Sequence, residues 1–504
     1  MEFRDCLKSG YVFPQWCTHF RQGFGSPYFG YYQPGFFYAA SILPESLRLV
    51  DRVAITAFAF AMFGYLFTFL LVSRHFGTLG GILAGSALAL SEYGLTNLCV
   101  RGDMSEFAAM NIIPSILFFV DGSLRRPNAL MFSGVAFANG AIIVTHPCIA
   151  LPGFTFLAIF LVICLMVDQI RPSAFFALVA MALGAGLSAF YALPIFMEWN
   201  LISVNSAFEG HYHFARSFVE PKNLAWTGDS DVPTNLGLVT FSLFAVSFGT
   251  QAAKWTSLLM QQRRLLAMAG ALVTFSIFLM SSISAILWQH LPLLYRLQFP
   301  FRLLALLSVG VAVLIGCLPQ WKDATLRRGI AVLLLVNLCW LSTSNPKRIV
   351  ELMSFVEPAS AAKMEEIHFA PDLVDEWLPR GSTISRGIHY DRVAVVENGT
   401  NTRVIDYRQQ QGRLQCHVTT GQSGYVDLPH HFFPGWNATF NGRFVPIESN
   451  SDGRLRAFLP AKATGELDVR FSRTPIRGLG IFVSANSLLL VVVISYFWSR
   501  TQRR

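Results

Sequence analysis

Residues 53–90 read VAITAFAFAMFGYLFTFLLVSRHFGTLGGILAGSALAL. Two long apolar runs lie on either side of a short polar link at Arg74 and His75. Each run approaches the roughly 20 apolar residues that a helix needs to cross a bilayer. The pattern recurs along the chain. Apolar runs occupy 52–73, 77–94, 105–121, 129–146, 149–168, 174–193, 235–250, 266–287, 301–319, 327–343 and 479–498. The 504-residue chain is 53% hydrophobic and only 14% charged, with a mean hydropathy of +0.46. Soluble domains carry roughly 25% charged residues. The expected fold is therefore mainly α: a polytopic transmembrane bundle of about eleven spans. The shorter run at 34–50 is broken by Pro44 and Glu45 and suits a surface or re-entrant helix.

The net charge of +9 does not call for a nucleic-acid partner. Basic residues gather in short loops on one side of the spans, at Arg74, Arg125, Arg126, Arg171, Lys254, Arg263, Arg264, Lys322, Arg327 and Arg328. The tail adds Arg500, Arg503 and Arg504. Such a bias marks the cytoplasmic face and matches anionic headgroups. The opposite face then carries 1–51 as a first extracytoplasmic loop, the loop at 195–234 and a domain at 344–475. The bundle occupies 52–343, and 476–504 supplies the last span and a cytoplasmic tail. With an odd number of spans the N-terminus lies outside. The opening MEFRDCLKSGYVFPQW is too charged to insert or to act as a signal. We therefore expect a further helix upstream of Met1, the alternatives being that this short segment crosses unaided or that the span count is off by one.

Residues 344–475 change character. Alternating stretches such as RVAVVENG, TRVIDYR and RLQCHVTT are separated by turn signals including QQG, TGQSG, FNGR and SDGR. This reads as an extracytoplasmic antiparallel β-sandwich-like domain. HFFPGWNATFNGRFVPIE reads as a hairpin with inward-facing aromatics, and His430-His431 as a loop. The eight cysteines show no CxxC or zinc spacing, and a Cys6–Cys17 bridge stays open.

Ionisable residues at span ends are the first places to look for function. In CVRGDMSEFAAM, Arg101, Asp103 and Glu106 precede a span, with the two carboxylates three residues apart on one helix face. Paired carboxylates suit a divalent cation or a general base, and equally suit capping of a helix N-terminus. His146 in IIVTHPCIALPG sits at an outer turn and suits phosphate binding, proton transfer or a structural role. Glu198 in SAFYALPIFMEWN follows a span, and Gln298 and Arg302 in LPLLYRLQFPFRLLALL begin one. Arginine suits phosphate recognition, though interfacial arginines also serve as anchors. Tyr28, Tyr31 and Tyr32 in GFGSPYFGYYQPGFFY suit a lipid or sugar groove, or an aromatic belt. P-loop, GxGxxG and GxSxG signals are absent, which disfavours ATP-driven transport and serine hydrolysis.

Taken in order, EFRDCLKSGYVFPQW, GSPYFGYYQPGFFY, VRGDMSEFAAMNIIP, VTHPCIAL, FYALPIFME, LQFPFRLL, DEWLPR and PGWNATFNG with DGRLRAFLP resemble a large bacterial family. It comprises GT-C glycosyltransferase-like, YfhO-like polytopic membrane proteins, some of them labelled 6-pyruvoyl-tetrahydropterin synthase-related. Nothing in the residues supports pterin chemistry. The resemblance implies a multi-pass protein of the bacterial inner membrane. It would move a sugar from a polyprenyl-phosphate donor to an envelope polymer, lipid or protein acceptor at the outer face. It implies Asp103 and Glu106 as a catalytic acidic site, serving as base toward the acceptor or holding a metal, and Arg101, His146 and Arg302 as phosphate or lipid contacts. Tyr28, Tyr31, Tyr32, Glu198 and Gln298 would line the same cavity. The catalytic acid usual in that class matches a position before Met1. The cofactor is left open, a divalent cation being one candidate. A non-catalytic assembly, lipid- or polysaccharide-binding, or transport role is the alternative.

Overall fold

The computed structural model describes residues 2–203, 213–224, 238–253, 255–317, 378–382, 395–396 and 402–501, with a few isolated positions between them. It is mainly helical, with a separate antiparallel β-region near the C-terminus. The chain packs into two compact units. One joins Met1–Tyr32, Ala189–Glu209 and Pro358–Phe482; the other joins Gln33–Ser188, Gly210–Glu357 and Val483–Arg504.

In the helical unit, the stretch that opens the sequence reading forms Leu49–Ala89, broken at Gly77, whose φ of +80° suits glycine. The two halves fold back on each other. A Cβ on Gly81 would sit 2.8 Å from the Phe69 carbonyl oxygen, and one on Gly85 would sit 2.9 Å from the Tyr65 ring. These two glycines, four residues apart, let the backbones approach closely, as small residues do between membrane helices. The helices Met104–Arg125, Ala129–Thr145 and Pro147–Cys164 follow. Arg171–Leu187, Leu238–Ala253, Met260–Met280, Leu304–Ile315 and, from Val483 onward, Pro475–Thr501 complete the unit's larger helices among the described residues.

Met104–Arg125 is the central element. It is buried along nearly its whole length even though its composition suits a membrane span. Among the described residues, five helices are long and apolar enough to cross a membrane, or six if Arg171–Leu187 with Ala189–Met197 counts as one broken span. Leu49–Arg101 counts once among these, where the sequence reading has two runs divided near Arg74. Ala129–Thr145 and Pro300–Ile315 are apolar but shorter, and the expected run at 327–343 lies outside the described residues. The interrupted segment near 34–50 forms only Gly35–Ile42.

At the end of the hairpin near Gly77, Asp121 is buried and shares a hydrogen bond with His75 Nε2 at 3.0 Å, with Arg74 at 3.8 Å and Arg125 at 3.9 Å. One carboxylate thus ties His75 and Arg74 to Met104–Arg125 and pairs with Arg125 within that helix.

In the other unit, nine strands among the described residues form two antiparallel sheets. They are β1 (Val395–Val396), β2 (Arg403–Gln410), β3 (Arg413–Thr419), β4 (Gly424–His431) and β5 (Trp436–Phe440), then β6 (Arg443–Val445), β7 (Ile447–Ser449), β8 (Arg454–Leu459) and β9 (Thr464–Phe471). The orders are β1-β4-β8-β7 and β2-β3-β9-β5-β6. The Asn-Gly signal in FNGR makes the two-residue β5–β6 turn, with positive φ at Asn441 and Gly442. Trp436 and Phe440 face inward as expected, but Phe444 on the edge strand is 83% exposed. A strand's alternation sends every second side chain outward, and the hairpin register puts Phe444 on that face.

His430 and His431 are not a loop. They end β4, fully buried, and hold residues 16–25 of the same unit. The Trp16 indole N–H donates to His430 Nε2 at 2.8 Å, and His430 Nδ1 meets the Gly23 carbonyl at 3.1 Å. His431 Nδ1 meets the Gly25 carbonyl at 2.7 Å. Gly25 has a φ of +77°, and a Cβ there would lie 2.5 Å from the Trp16 indole nitrogen.

Burial pushes His430 down to about 3 and His431 to about 4, so both imidazoles stay neutral. An unfolded histidine titrates near 6.5. As pH falls below that value the unfolded chain takes up the protons first, and stability drops until the folded values are reached. The expected slope is about 1.4 kcal/mol per pH unit for each imidazole. Thermal melts followed by tryptophan fluorescence should show the midpoint falling on acidification from neutral pH. His430→Gln should reduce the slope, and an equal slope in that variant contradicts the assignment.

Candidate functional site

The site of interest lies in the helical unit, where the chain leaves one helical run and enters the buried helix Met104–Arg125. After Glu92–Leu95, residues Thr96–Arg101 form a wide π-helical turn, a form that often marks functional positions. Gly102 then takes a left-handed conformation and Asp103 caps the next helix, its carboxylate accepting the Glu106 N–H at 2.9 Å. The capping reading of Asp103 is therefore realised.

Glu106 is fully buried and heavily occupied. It accepts a hydrogen bond from the Tyr93 hydroxyl and a longer one from Asn97 Nδ2 at 3.4 Å. Arg101 Nη1 lies 3.1 Å and Arg302 Nε 3.3 Å from its Oε2. One carboxylate thus holds two guanidinium groups side by side, across 196 residues of sequence for Arg302. Phe301 lies under Arg101 at 5.0 Å and Phe299 under Arg302 at 4.9 Å, adding cation–π support. Arg302 also donates from Nη1 to the Leu297 carbonyl at 2.7 Å.

These groups retain binding capacity. Both arginines keep about a tenth of their side-chain surface exposed, at 13% and 11%. Arg101 Nη2 reaches Asp103 only at 3.5 Å, and no contact found for Arg302 engages its Nη2 among the described residues. Asp103 is the more accessible carboxylate, 17% exposed against none for Glu106. His146 is fully buried between Ala129–Thr145 and Pro147–Cys164, and its Nδ1 accepts the Ile149 N–H at 3.2 Å. A neutral imidazole that accepts at Nδ1 carries its proton on Nε2. That N–H has no hydrogen-bond partner among the described residues, and Glu106 Oε2 is 3.9 Å away. Buried donors are rarely left unpaired.

Asp103, Glu106 and His146 bring ligand atoms within 4.8 Å of one another, the spacing of a metal site. Their other bonds argue against a cation. Glu106 is already shared between two guanidiniums, and His146 presents a proton rather than a lone pair at Nε2. The donor set is three N–H bearing groups around one accessible carboxylate, which suits an anion with a proton acceptor beside it.

The remaining expected residues fall elsewhere. Gln298, in the helical unit, has a left-handed φ of +71° and leads into Pro300–Leu303. Glu198, Tyr28, Tyr31 and Tyr32 belong to the β-containing unit. Glu198 pairs with the fully buried Arg477 at 3.0 Å and also accepts from Thr474. The Tyr31 hydroxyl donates to the Glu198 carbonyl at 2.9 Å, and Tyr28 stacks on Tyr32 with centroids 4.7 Å apart. Glu198 and Tyr31 are thus engaged in holding their own unit together. That unit also groups Glu2, Cys6 and Cys17, with both cysteines buried free thiols and Glu2 paired to His19 at 2.7 Å.

Two partners in the site were not anticipated, Tyr93 and Asn97. Their spacing with Arg101 was a usable signal, since positions 93, 97 and 101 recur every four residues on one helical face. No protein-family model matches the chain, and no curated protein matches it.

Proposed function

We propose that this chain is a membrane glycosyltransferase-like enzyme. It would transfer a sugar from a polyprenyl-phosphate donor to a hydroxyl of a cell-envelope acceptor. The reading keeps the GT-C-like bundle of about eleven spans and the outer β-sandwich expected from the sequence. It also keeps the inner-membrane location, with the site near the outer face. The observation that carries it is the pairing of Arg101 and Arg302 on buried Glu106, with the His146 N–H and accessible Asp103 alongside.

In this scheme Arg101, Arg302 and His146 bind the donor phosphate. Asp103 accepts the proton of the acceptor hydroxyl as its oxygen attacks the anomeric carbon. The bond from that carbon to the phosphate oxygen breaks, and the lipid phosphate leaves with the negative charge. Preorganised guanidiniums in a site screened from water stabilise that charge strongly.

An apolar groove on the same unit supports a lipid donor. Its volume is about 780 Å³, and Phe60, Phe63, Phe67, Ile112, Phe119 and Phe137 line it with other apolar residues. Ile112 lies six residues beyond Glu106, roughly 9 Å along the helix axis. The experiment is a turnover assay with protein purified into liposomes and a panel of radiolabelled polyprenyl-phosphate sugars. Release of polyprenyl phosphate with label transferred to an acceptor supports the reading. No turnover with any donor moves the non-catalytic assembly reading into first place.

A further inference from the structure

We propose that the outer face of the five-stranded sheet is a binding site for a neutral oligosaccharide chain. The face is a regular grid set by strand register. Arg413, Arg470 and Asn437 lie across β3, β9 and β5 in one row. Gln415, Asp468, Thr439 and Phe444 form the next row, ending on β6. His417 and Glu466 continue the pattern. A concavity of about 630 Å³ lies over this grid, within the size range of small-molecule sites.

The chemistry points to sugar rather than to a charged polymer. Asp468 takes a bidentate pair from Arg413, at 2.8 Å for both bonds, and further bonds from Arg470 at 2.7 and 2.9 Å. Arg413 and Arg470 balance Asp468 and Glu466, so the four ionised side chains in the concavity sum to zero. Both guanidiniums are already turned into Asp468, which accepts from each of them. Sugar hydroxyls both donate and accept, and the face offers guanidinium N–H groups, carboxylate oxygens, amides and the Thr439 hydroxyl within one surface.

Phe444 completes the argument. Its ring is 83% exposed on the short edge strand β6, at the rim of the concavity. Cross-strand ion pairs alone would explain a stable solvated face. They do not explain this ring at the end of a polar row. The apolar C–H face of a pyranose stacks on such a ring while its hydroxyls reach the polar row.

The test uses the full chain in a detergent without sugar headgroups. It is applied to a printed array of neutral hexose and N-acetylhexosamine oligosaccharides, uronate-containing chains and extended peptides. Saturable binding to neutral chains is expected. Phe444→Ala should weaken it about tenfold, the loss of one aromatic contact near the upper end of its usual worth. Phe444 is exposed, so far-UV circular dichroism of the variant should match the parent. Absence of neutral-chain binding, binding only to uronates or peptides, or an unchanged affinity in Phe444→Ala would overturn the proposal. The readout is binding rather than turnover, so its failure is separate from failure of the transferase reading.

Discussion

Glu106→Gln is expected to destabilise the helical unit by about 3–5 kcal/mol, because it strands two largely buried guanidiniums with only the partly exposed Asp103 nearby. The loss should appear as a lower thermal midpoint in one fixed detergent and as faster proteolysis of Met104–Arg125. The physical cause is desolvation. Arg101 and Arg302 have given up most of their water, and Glu106 is what compensates them. The sharper form of the test is a double-mutant cycle. Removing the charge at Arg302 as well, in Glu106→Gln with Arg302→Met, should recover part of the stability, because one uncompensated charge goes with it. Additive losses would show that the pair is not coupled. A Glu106→Gln protein that melts like the parent but has lost turnover would instead make Glu106 a chemical participant, against its saturated hydrogen bonding.

Asp103→Asn should do the opposite. Asparagine caps helices about as well as aspartate, so the bond from the Glu106 N–H survives and the midpoint should hardly move. What disappears is the carboxylate beside the two arginines. In the turnover assay kcat is expected to fall about 10²–10⁴-fold, the usual worth of a positioned general base, with little change in KM. An Asp103→Asn protein with parental kcat would remove Asp103 from the chemistry. The two acids thus separate by burial, one read out in stability and the other in rate.

That separation was not legible in the sequence, where Asp103 and Glu106 are equivalent acids three residues apart. Local chemistry was readable. Apolar run length predicted a mainly helical chain with several apolar helices long enough to span, and turn residues such as Asn441-Gly442 predicted the β5–β6 hairpin. The cluster Arg101, Asp103 and Glu106 stood out as charge at the start of an apolar run. Long-range partners were not readable. Nothing local in residues 291–307 says that Arg302 reaches Glu106. Glu198 finds Arg477 only after the chain has passed through most of the bundle and the β-strands. His430-His431 read as a loop because no third metal ligand stood nearby, yet both rings are buried and bonded to residues 16–25. Phe444 failed for a different reason. Alternation within a strand assigns faces only once register is known, and the two-residue turn at Asn441-Gly442 sets that register.

The central claim is that Arg101 and Arg302 form a seat for a lipid phosphate. Equilibrium binding of a radiolabelled polyprenyl phosphate to the purified protein in nanodiscs tests it most directly. Parent protein is compared with Arg302→Lys, which keeps the charge beside Glu106 but loses the planar fork. Saturable binding, weakened about tenfold or more by that single change, is the predicted result, since a charge-assisted hydrogen bond is worth about 1.5–3 kcal/mol. No saturable binding, or equal binding by the parent and Arg302→Lys, would contradict it.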